Sequence, residues 1–257
     1  MIELFDSHAH YNDEKFDTDR YEIIKAVYDS GVTKLVNVGY DTYSSKKAVE
    51  IANNYDFIYA TCGISPNDVQ NVDIDSQISS LTALLPNKKI VAIGEIGLDY
   101  YWNKENKDIQ KEYFIKQIEL ANKFGLPITI HSRDAINDTI EILKENPVNK
   151  KGIFHCCMQN EFLIQEALKL GYYISFAGAI TFKNAKHADD VIKLVPLEKL
   201  LIETDSPYLA PEPKRGTRND SRNVRLIAEK IANVKQISIE QIAKQTYQNA
   251  MKIYGIK

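Results

Sequence analysis

Short runs of β-branched and aromatic residues alternate with longer amphipathic runs along the whole chain of 257 residues. This alternation is typical of repeated βα units and a parallel sheet. The short runs are nearly all apolar, as strands buried on both faces should be. Eight of them are strand candidates, at residues 2–6, 34–38, 57–62, 89–94, 127–131, 152–155, 172–176 and 199–203.

The segments between the candidate strands carry helical patterns. Residues 105–124 place apolar side chains on one face, and residues 161–170 end before Gly171, a residue type common just after a helix. Residues 224–254 predict two further helices. No long linker, low-complexity tract or composition shift interrupts the pattern. The sequence therefore predicts one domain over residues 1–257.

Metal-binding residue types recur where the candidate strands end. His8 and His10 follow the first candidate, and residues two apart on a strand point to the same side. Such a pair alone is a weak signal. Four other candidate strands end at or just before Glu95, His131, His155 and Asp205. These six residues include four of the five histidines, and the fifth, His187, lies in a polar helical stretch that predicts a solvated surface position.

This distribution favours a closed sheet. An open doubly wound sheet binds ligands mainly at one switch point, whereas a closed ring brings the ends of strands one, four, five, six and eight around one mouth. The alternative, in which each residue is an isolated, satisfied polar group, requires five separate coincidences. The sequence thus predicts an α/β fold, a (β/α)8 barrel of the TIM type.

Imidazole and carboxylate ligands without thiolates suit Zn, Mn, Fe or Co, and a carboxylate-rich site also takes Mg. Six ligands are too many for one open catalytic zinc, so the sequence predicts two divalent metal ions, with Glu95 as a candidate bridge. A pair of such ions activates water for hydrolysis. Asp205 is the candidate to orient that water and accept its proton, which makes Glu95 and Asp205 the predicted catalytic residues. Asp6 is either a support for His8 or merely structural.

Five segments carry a family resemblance. They are D-S-H-A-H at 6–10, G-E-I-G-L-D-Y at 94–100, P-I-T-I-H-S-R-D-A at 127–135, F-H-C at 154–156 and E-T-D-S-P-Y-L at 203–209. With Arg215, Gly216 and Asn219 they make the chain resemble, nearly from end to end, the TatD-like deoxyribonucleases. These are metal-dependent hydrolases on a TIM-type barrel related to the amidohydrolases.

The resemblance implies a division of the ligands. It assigns one metal to His8, His10 and Asp205, the other metal to His131 and His155, and a position between them to Glu95. It also implies DNA as the substrate, cleaved at phosphodiester bonds, typically by 3′ to 5′ exonuclease action on single-stranded or damaged ends.

Three segments depart from the family pattern. Ser65 and Asn67 stand where the family usually has histidines. Residues 157–159, Cys-Met-Gln, replace Phe-Ser-Gly, and residues 220–222, Asp-Ser-Arg, stand where Glu-Pro commonly follows Asn219. Because the loops differ while the ligands remain, a small-molecule amide, lactone or phosphoester hydrolase is the alternative, and a catalytically idle binding scaffold is a third. Glu95 favours the nuclease, since many related amidohydrolases bridge their metals with a modified lysine.

The candidate substrate contacts are few and local. The formal net charge of −3 offers no broad basic surface, so a polyanion must be met at particular positions. Arg215 and Arg218 belong to a segment after the eighth strand that holds four of the six arginines, with a solvated helix start as the alternative. The remaining predicted contacts are Arg133, Ser65 and Asn67.

The loop after the fourth strand and the arginine near His131 have two interpretations each. Arg133 suits a phosphate at the metals or an ion pair with Asp134 or Asp138. Residues 100–102, Tyr-Tyr-Trp, either stack on unpaired bases or pack against the barrel rim.

Composition indicates the compartment. Three cysteines, two of them adjacent, form neither a disulfide framework nor a C-x-x-C motif, which favours a reducing cytosol. The first residues carry no signal-peptide pattern, and the longest uncharged stretch, residues 171–182, is too short to span a bilayer. We therefore expect a cytoplasmic protein with no membrane partner and no obligatory protein partner.

Overall fold

The computed structural model describes residues 2–69, 73–102, 104–157 and 160–257. Eight parallel strands form one sheet in chain order. They are β1 (Leu4–Ala9), β2 (Val32–Val38), β3 (Ile58–Cys62), β4 (Ile90–Asp99), β5 (Ile128–Arg133), β6 (Gly152–Phe154), β7 (Tyr173–Phe176) and β8 (Leu200–Ile202). The helices are α1 (Arg20–Asp29), α2 (Thr42–Asn53), α3 (Ile74–Leu84), α4 (Lys107–Phe124), α5 (Ile136–Glu145), α6 (Glu161–Lys169), α7 (Ala188–Leu194), α8 (Val224–Lys235) and α9 (Ile239–Tyr254).

The sheet closes between the segment after β8 and the end of β1. The Asp205 amide donates to the His8 carbonyl at 2.9 Å, and the His10 amide donates to the Ser206 carbonyl at 2.6 Å. Ala9 and Ser206 form a parallel bridge between the same segments. The predicted TIM-type barrel is confirmed, and its closing seam holds three of the candidate ligands.

Two hydrophobic clusters occupy the two faces of the sheet. Along β8, Leu200 and Ile202 belong to the larger cluster, and Leu201 between them belongs to the smaller one. The smaller cluster contains residues of β1, β2, β4, β6, β7 and β8 together with Tyr254 of α9. Because side chains alternate along a strand, the larger cluster packs under the helices and the smaller one fills the barrel.

Two ligand-bearing strands are irregular at the ligand. In the β4–β5 pair, Ile93 is opposite Ile128 and Ile96 is opposite Ile130, so β4 has one extra residue around Glu95. The β1–β2 pair has a similar register shift between Asp6 and Ala9, the stretch that contains His8. Bulges of this kind redirect a side chain next to a functional site.

The predicted strand ends require three corrections. The first candidate was expected to end at residue 6, the fourth at residue 94 and the fifth at residue 131, but β1 continues to Ala9, β4 to Asp99 and β5 to Arg133. Glu95 therefore lies inside β4 rather than after it. Gly94 and Gly97 flank the acid and weaken the strand signal, since glycine is depleted in strands.

The helical predictions agree with the structure within one or two residues. Residues 105–124 contain α4, residues 161–170 contain α6, and residues 224–254 contain α8 and α9. Among the residues that the structure describes, no helix is both long and apolar enough to cross a membrane.

Candidate metal centre

Six side chains from five strand ends meet at one mouth of the barrel. Within the described residues, three overlapping groups have donor atoms close enough to share a metal ion. The groups are His8 with His155 and Asp205, His8 with His10 and Glu95, and Glu95 with His131 and His155. Every ligand predicted from the sequence is thus in the same cluster.

The first donor set surrounds one oxygen of Glu95. His8 Nε2 lies 3.5 Å and His10 Nε2 3.7 Å from Glu95 Oε2. The same two nitrogens lie 3.7 and 3.3 Å from Asp205 Oδ1, and 3.1 Å from each other. Ligand atoms around a tetrahedral metal with bonds of about 2.0–2.1 Å are about 3.3 Å apart, so this spacing suits one small cation.

The second donor set surrounds the other oxygen of the same carboxylate. His131 Nδ1 lies 2.9 Å and His155 Nε2 3.2 Å from Glu95 Oε1. These two nitrogens are 3.2 Å apart. The two oxygens of Glu95 therefore face two different donor sets, as a bridging carboxylate does.

In three of the histidines, the ring nitrogen that points away from Glu95 contacts an oxygen acceptor. His10 Nδ1 lies 2.9 Å from the Val38 carbonyl oxygen, and His131 Nε2 lies 2.9 Å from Asp99 Oδ2. His155 Nδ1 lies 3.2 Å from Glu203 Oε1. Each acceptor favours an N–H on this nitrogen, so each of these rings, when it is neutral, presents a lone pair toward Glu95. Lone pairs at 2.9–3.7 Å from a carboxylate repel it unless a cation lies between them, and the donor set therefore fits metal ions.

The charges in the cluster also favour a cation. Burial lowers the pKa of His155, but the charge of Glu95 and hydrogen bonds with Glu203 and Glu95 outweigh it and raise that pKa well above its ordinary value. Burial raises the pKa of Glu95, and the neighbouring histidines more than reverse this, so that its pKa lies well below the usual value. Glu95 is therefore an anion, and its negative charge is balanced by the protons or cations that the histidines bind.

Two supporting acids were not assigned from the sequence. Asp99 contacts His131, and its Oδ1 also accepts the backbone N–H groups of Tyr101 and Trp102 at 2.9 and 3.0 Å. Glu203 contacts His155, and it accepts the backbone N–H of Cys156 at 2.7 Å. Each follows a recognisable rule, because a metal-binding imidazole usually directs its other nitrogen to a carboxylate. Which acid serves which histidine is decided by the tertiary structure.

Asp6 supports the loop that carries Asp205. Its Oδ1 accepts the Thr204 amide at 2.9 Å, and its Oδ2 accepts the Thr204 hydroxyl at 2.5 Å. It also accepts the backbone amide of His8 at 3.3 Å rather than contacting the ring. Burial, partly offset by these hydrogen bonds, raises the pKa of Asp6 to about 7.

Two of the predicted substrate contacts, Asn67 and Arg133, lie beside Asp99, which contacts His131 of the second donor set, and Ser65 is two residues from Asn67. Asn67 Nδ2 donates to Asp99 Oδ2 at 3.4 Å, and the Ser65 hydroxyl donates to Asp68 Oδ2 at 2.6 Å. The Arg133 guanidinium lies 3.9 Å from the ring centre of Tyr101. Arg133 is the last residue of β5, opposite Asp99 of β4. Its guanidinium stacks on an aromatic ring rather than pairing with Asp134 or Asp138.

The aromatic residues after β4 divide between packing and exposure. Tyr100 is buried and donates its hydroxyl to Asp138 at 2.6 Å. Tyr101 and Trp102 are exposed, at 47% and 69%. The packing interpretation therefore describes Tyr100, whereas Tyr101 and Trp102 are exposed and the Arg133 guanidinium stacks on Tyr101.

The arginine-rich segment is largely engaged with acids. Arg218 makes two hydrogen bonds with Asp19, at 2.8 and 2.5 Å, and donates to the Lys15 carbonyl at 2.7 Å. Arg222 pairs with Asp220, and Arg225 pairs with Glu229. The Arg215 guanidinium lies 4.2 Å from the ring centre of Phe182.

The remaining predictions concern His187 and the cysteines. His187 is exposed, as expected. All three cysteines are free. Of the departure at residues 157–159, Met158 and Gln159 lie outside the described residues.

Comparison with known proteins identifies the family of this chain. Residues 5–255 match the family model described as TatD related DNase. The chain belongs to this family. A metal-dependent hydrolase of Bacillus subtilis (strain 168), YabD, is 44% identical over 254 residues, which cover 98% of this chain and 99% of the relative. YcfH, a metal-dependent hydrolase of Escherichia coli (strain K12), is 39% identical over 208 residues, or 80% of this chain and 77% of the relative.

Solved structures agree with the family assignment. The crystal structure of YjjV, a TatD homologue of Escherichia coli K12, superposes with a TM-score of 0.93 at 25% identity, covering 99% of this chain and 98% of that one. A Saccharomyces cerevisiae amidohydrolase shares the fold, with a TM-score of 0.86 at 18% identity and coverage of 98% and 100%. This TatD family member is therefore a metal-dependent hydrolase with a cluster of histidine and carboxylate ligands able to bind metal ions.

Proposed function

We propose that this hydrolase cleaves DNA phosphodiester bonds, as a 3′ to 5′ exonuclease on single-stranded or damaged ends. The observation that carries the proposal is the position of Glu95, whose two oxygens face two separate donor sets. Two cations on one carboxylate form the arrangement that many phosphodiester-cleaving enzymes use. The family description, TatD related DNase, supports DNA as the substrate.

The distances support the ligand roles that the resemblance implies. His8, His10 and Asp205 would hold the first metal, His131 and His155 would hold the second, and Glu95 would contribute to both sites. When bound, two divalent ions such as Mg, Mn or Zn would supply Lewis acidity that activates water and offsets phosphate charge. Asp99 and Glu203 keep the rings of His131 and His155 in the ligand orientation.

Asp205 is the proton acceptor in this proposal. Its Oδ1 lies 3.7 and 3.3 Å from the two histidines of the first donor set, and its side chain keeps 15% exposure, so it can meet both the metal and a water. Burial raises the pKa of Asp205, but a hydrogen bond from His10 and the charges of His10 and His8 outweigh it and lower that pKa. The carboxylate is thus ionised and ready to orient a water and take its proton.

Substrate positioning falls to side chains outside the ligand set. Arg133 supplies a planar cation for the scissile or neighbouring phosphate, held in place by Tyr101. Trp102 offers a sequence-tolerant surface for an unpaired base. Ser65 and Asn67 stand as neutral groups where the family usually has histidines, and Arg215 provides a further cation. The ion pair of Arg218 with Asp19 makes it the weakest of these contacts.

The experiment uses metal-loaded full-length protein and single-stranded DNA labelled at either end. A 3′ to 5′ exonuclease releases the 3′ label at once as mononucleotide and shortens the 5′-labelled strand stepwise, and chelator stops both. The Asp205→Asn variant should lose the activity while His131, His155 and Glu95 still bind the second metal. Hydrolysis of small amides or lactones without DNA shortening would favour the small-molecule alternative, and shortening that survives chelator would refute the proposal.

A further inference from the structure

A cavity of about 340 Å³ lies at the ends of β5, β6 and β7. Ser132 and Cys156 line it, and each directly follows a candidate ligand, His131 and His155 respectively. The carboxylate of Glu203 contacts His155 and also accepts the backbone N–H of Cys156 at 2.7 Å. Glu203 therefore contacts both a ligand of the second donor set and the backbone of a residue that lines the cavity.

The lining combines an apolar back with a polar rim. Ile136, Ala177 and Ile180 contribute the apolar part, and the last two are 2% and 3% exposed. No lysine or arginine occurs among the described lining residues, and Asp134 contributes a carboxylate. A phosphate here would meet negative charge without compensation, whereas a neutral heterocyclic ring would place its faces against the apolar wall.

The polar rim offers a donor and an acceptor. The Oδ1 atom of Asn160 accepts the Leu163 amide at 3.0 Å and caps α6, which fixes the side-chain amide. Its Nδ2 then remains a donor for which the described part of the chain supplies no hydrogen-bond partner. Asp134 lines the same cavity with an acceptor. A nucleobase edge presents the complementary set of acceptors and N–H donors.

We propose that this cavity binds the base of the terminal nucleotide whose 5′-phosphate lies at the metal centre. The volume is at the lower end of the range of about 300–1,000 Å³ typical of small-molecule sites, which suits one nucleoside and not a base pair. The proposal rests on the proposed nuclease function for its ligand. It adds a positioning site formed by the ends of β5, β6 and β7, away from Ser65 and Asn67.

The test measures binding rather than cleavage. Metal-loaded protein is titrated with deoxyadenosine 5′-monophosphate and with 2-deoxyribose 5-phosphate, which carries the same phosphate without a base. We expect the base to tighten binding about tenfold, in line with the contribution of one stacked base. Asn160→Asp keeps the α6 cap and removes the amide donor, and Ala179→Leu fills the cavity from a partly exposed position. Both should bring the two dissociation constants within about twofold, since the base contacts are lost.

Asn137→Asp is the matched control, because Asn137 is exposed and lines the neighbouring surface but not this cavity. It adds the same charge and should keep the preference for the base. Equal affinity of the unaltered protein for the two phosphates, or a preference that survives both cavity variants, would overturn the proposal. Loss of the preference in the variants together with no DNA shortening by the unaltered protein would support the base site and refute the nuclease.

Discussion

Replacing Asp99 with asparagine should weaken the second metal site without unfolding the barrel. The Oδ1 atom of Asp99 accepts the backbone N–H groups of Tyr101 and Trp102, at 2.9 and 3.0 Å. Its Oδ2 atom lies 2.9 Å from His131 Nε2. An asparagine must keep its one oxygen on the two backbone amides, so its NH₂ group would face His131.

This change reverses the proton assignment of the ligand. Facing a donor, His131 Nε2 must become the acceptor, and the ring proton moves to Nδ1, which lies 2.9 Å from Glu95 Oε1. The protonated Nδ1 can no longer coordinate a metal. Loss of the supporting acid typically lowers metal affinity by about 10–100-fold, which corresponds to about 1.4–2.8 kcal/mol.

Isothermal titration of metal-free protein measures the effect directly. The unaltered protein should bind two divalent ions, and Asp99→Asn should keep the first affinity and lose about 10–100-fold in the second. Asp138→Asn is the control, because Asp138 accepts the Tyr100 hydroxyl and pairs with Lys111 but does not contact a ligand histidine. Two unchanged affinities in Asp99→Asn would refute the tautomer argument.

Three further predictions concern the substrate, the fold and pH. Arg133→Ala should raise KM for single-stranded DNA about tenfold with little change in kcat, since a charged hydrogen bond to phosphate is lost; unchanged steady-state kinetics would remove Arg133 from the substrate site. Gly97→Ala should destabilise the protein by about 3 kcal/mol or more in urea unfolding. At Gly97, φ is +137° and an added Cβ would lie 2.0 Å from the His131 carbonyl oxygen, so wild-type stability of the variant would contradict this backbone path. The third prediction compares urea midpoints of the unaltered protein and Glu166→Gln across acid pH. Hydrogen bonds from two lysines lower the pKa of Glu166 from 4.5 to about 2. The stabilisation that these ion pairs give the folded protein is therefore complete above the pKa of the unfolded state, and it is lost as the pH falls through the pKa of the folded state. The midpoint difference should therefore shrink between pH 4.5 and about 2, and a constant difference would refute the ion-pair assignment.

The ligand set was accessible from the sequence because it depends on local order. A strand of a parallel barrel ends at the same mouth as every other strand, so a histidine or acid at a strand end is placed without knowledge of packing. His155, which comes directly after β6, follows this rule, and His131 lies two residues before the end of β5. Glu95 follows it less directly, since its strand continues to Asp99 and a bulge turns its side chain into the mouth.

The supporting contacts were not accessible in the same way. Asp99 and Glu203 are four residues from Glu95 and two from Asp205, but the histidines they orient are 32 and 48 residues away in sequence. Arg218 shows the opposite case, since a basic cluster in the sequence is neutralised by Asp19, 199 residues away. Such pairings depend on how loops from different βα units meet.

The sequence by itself determined the fold class, the mouth of the barrel and the six candidate ligands, because all three follow from the alternation of elements and from residue types at strand ends. The tertiary structure decided how these six side chains are grouped around Glu95. It gave each oxygen of Glu95 its own pair of histidines and assigned the ring protons through Asp99, Glu203 and Val38. Distances of a few ångströms between strands set these relations, and no local pattern encodes them.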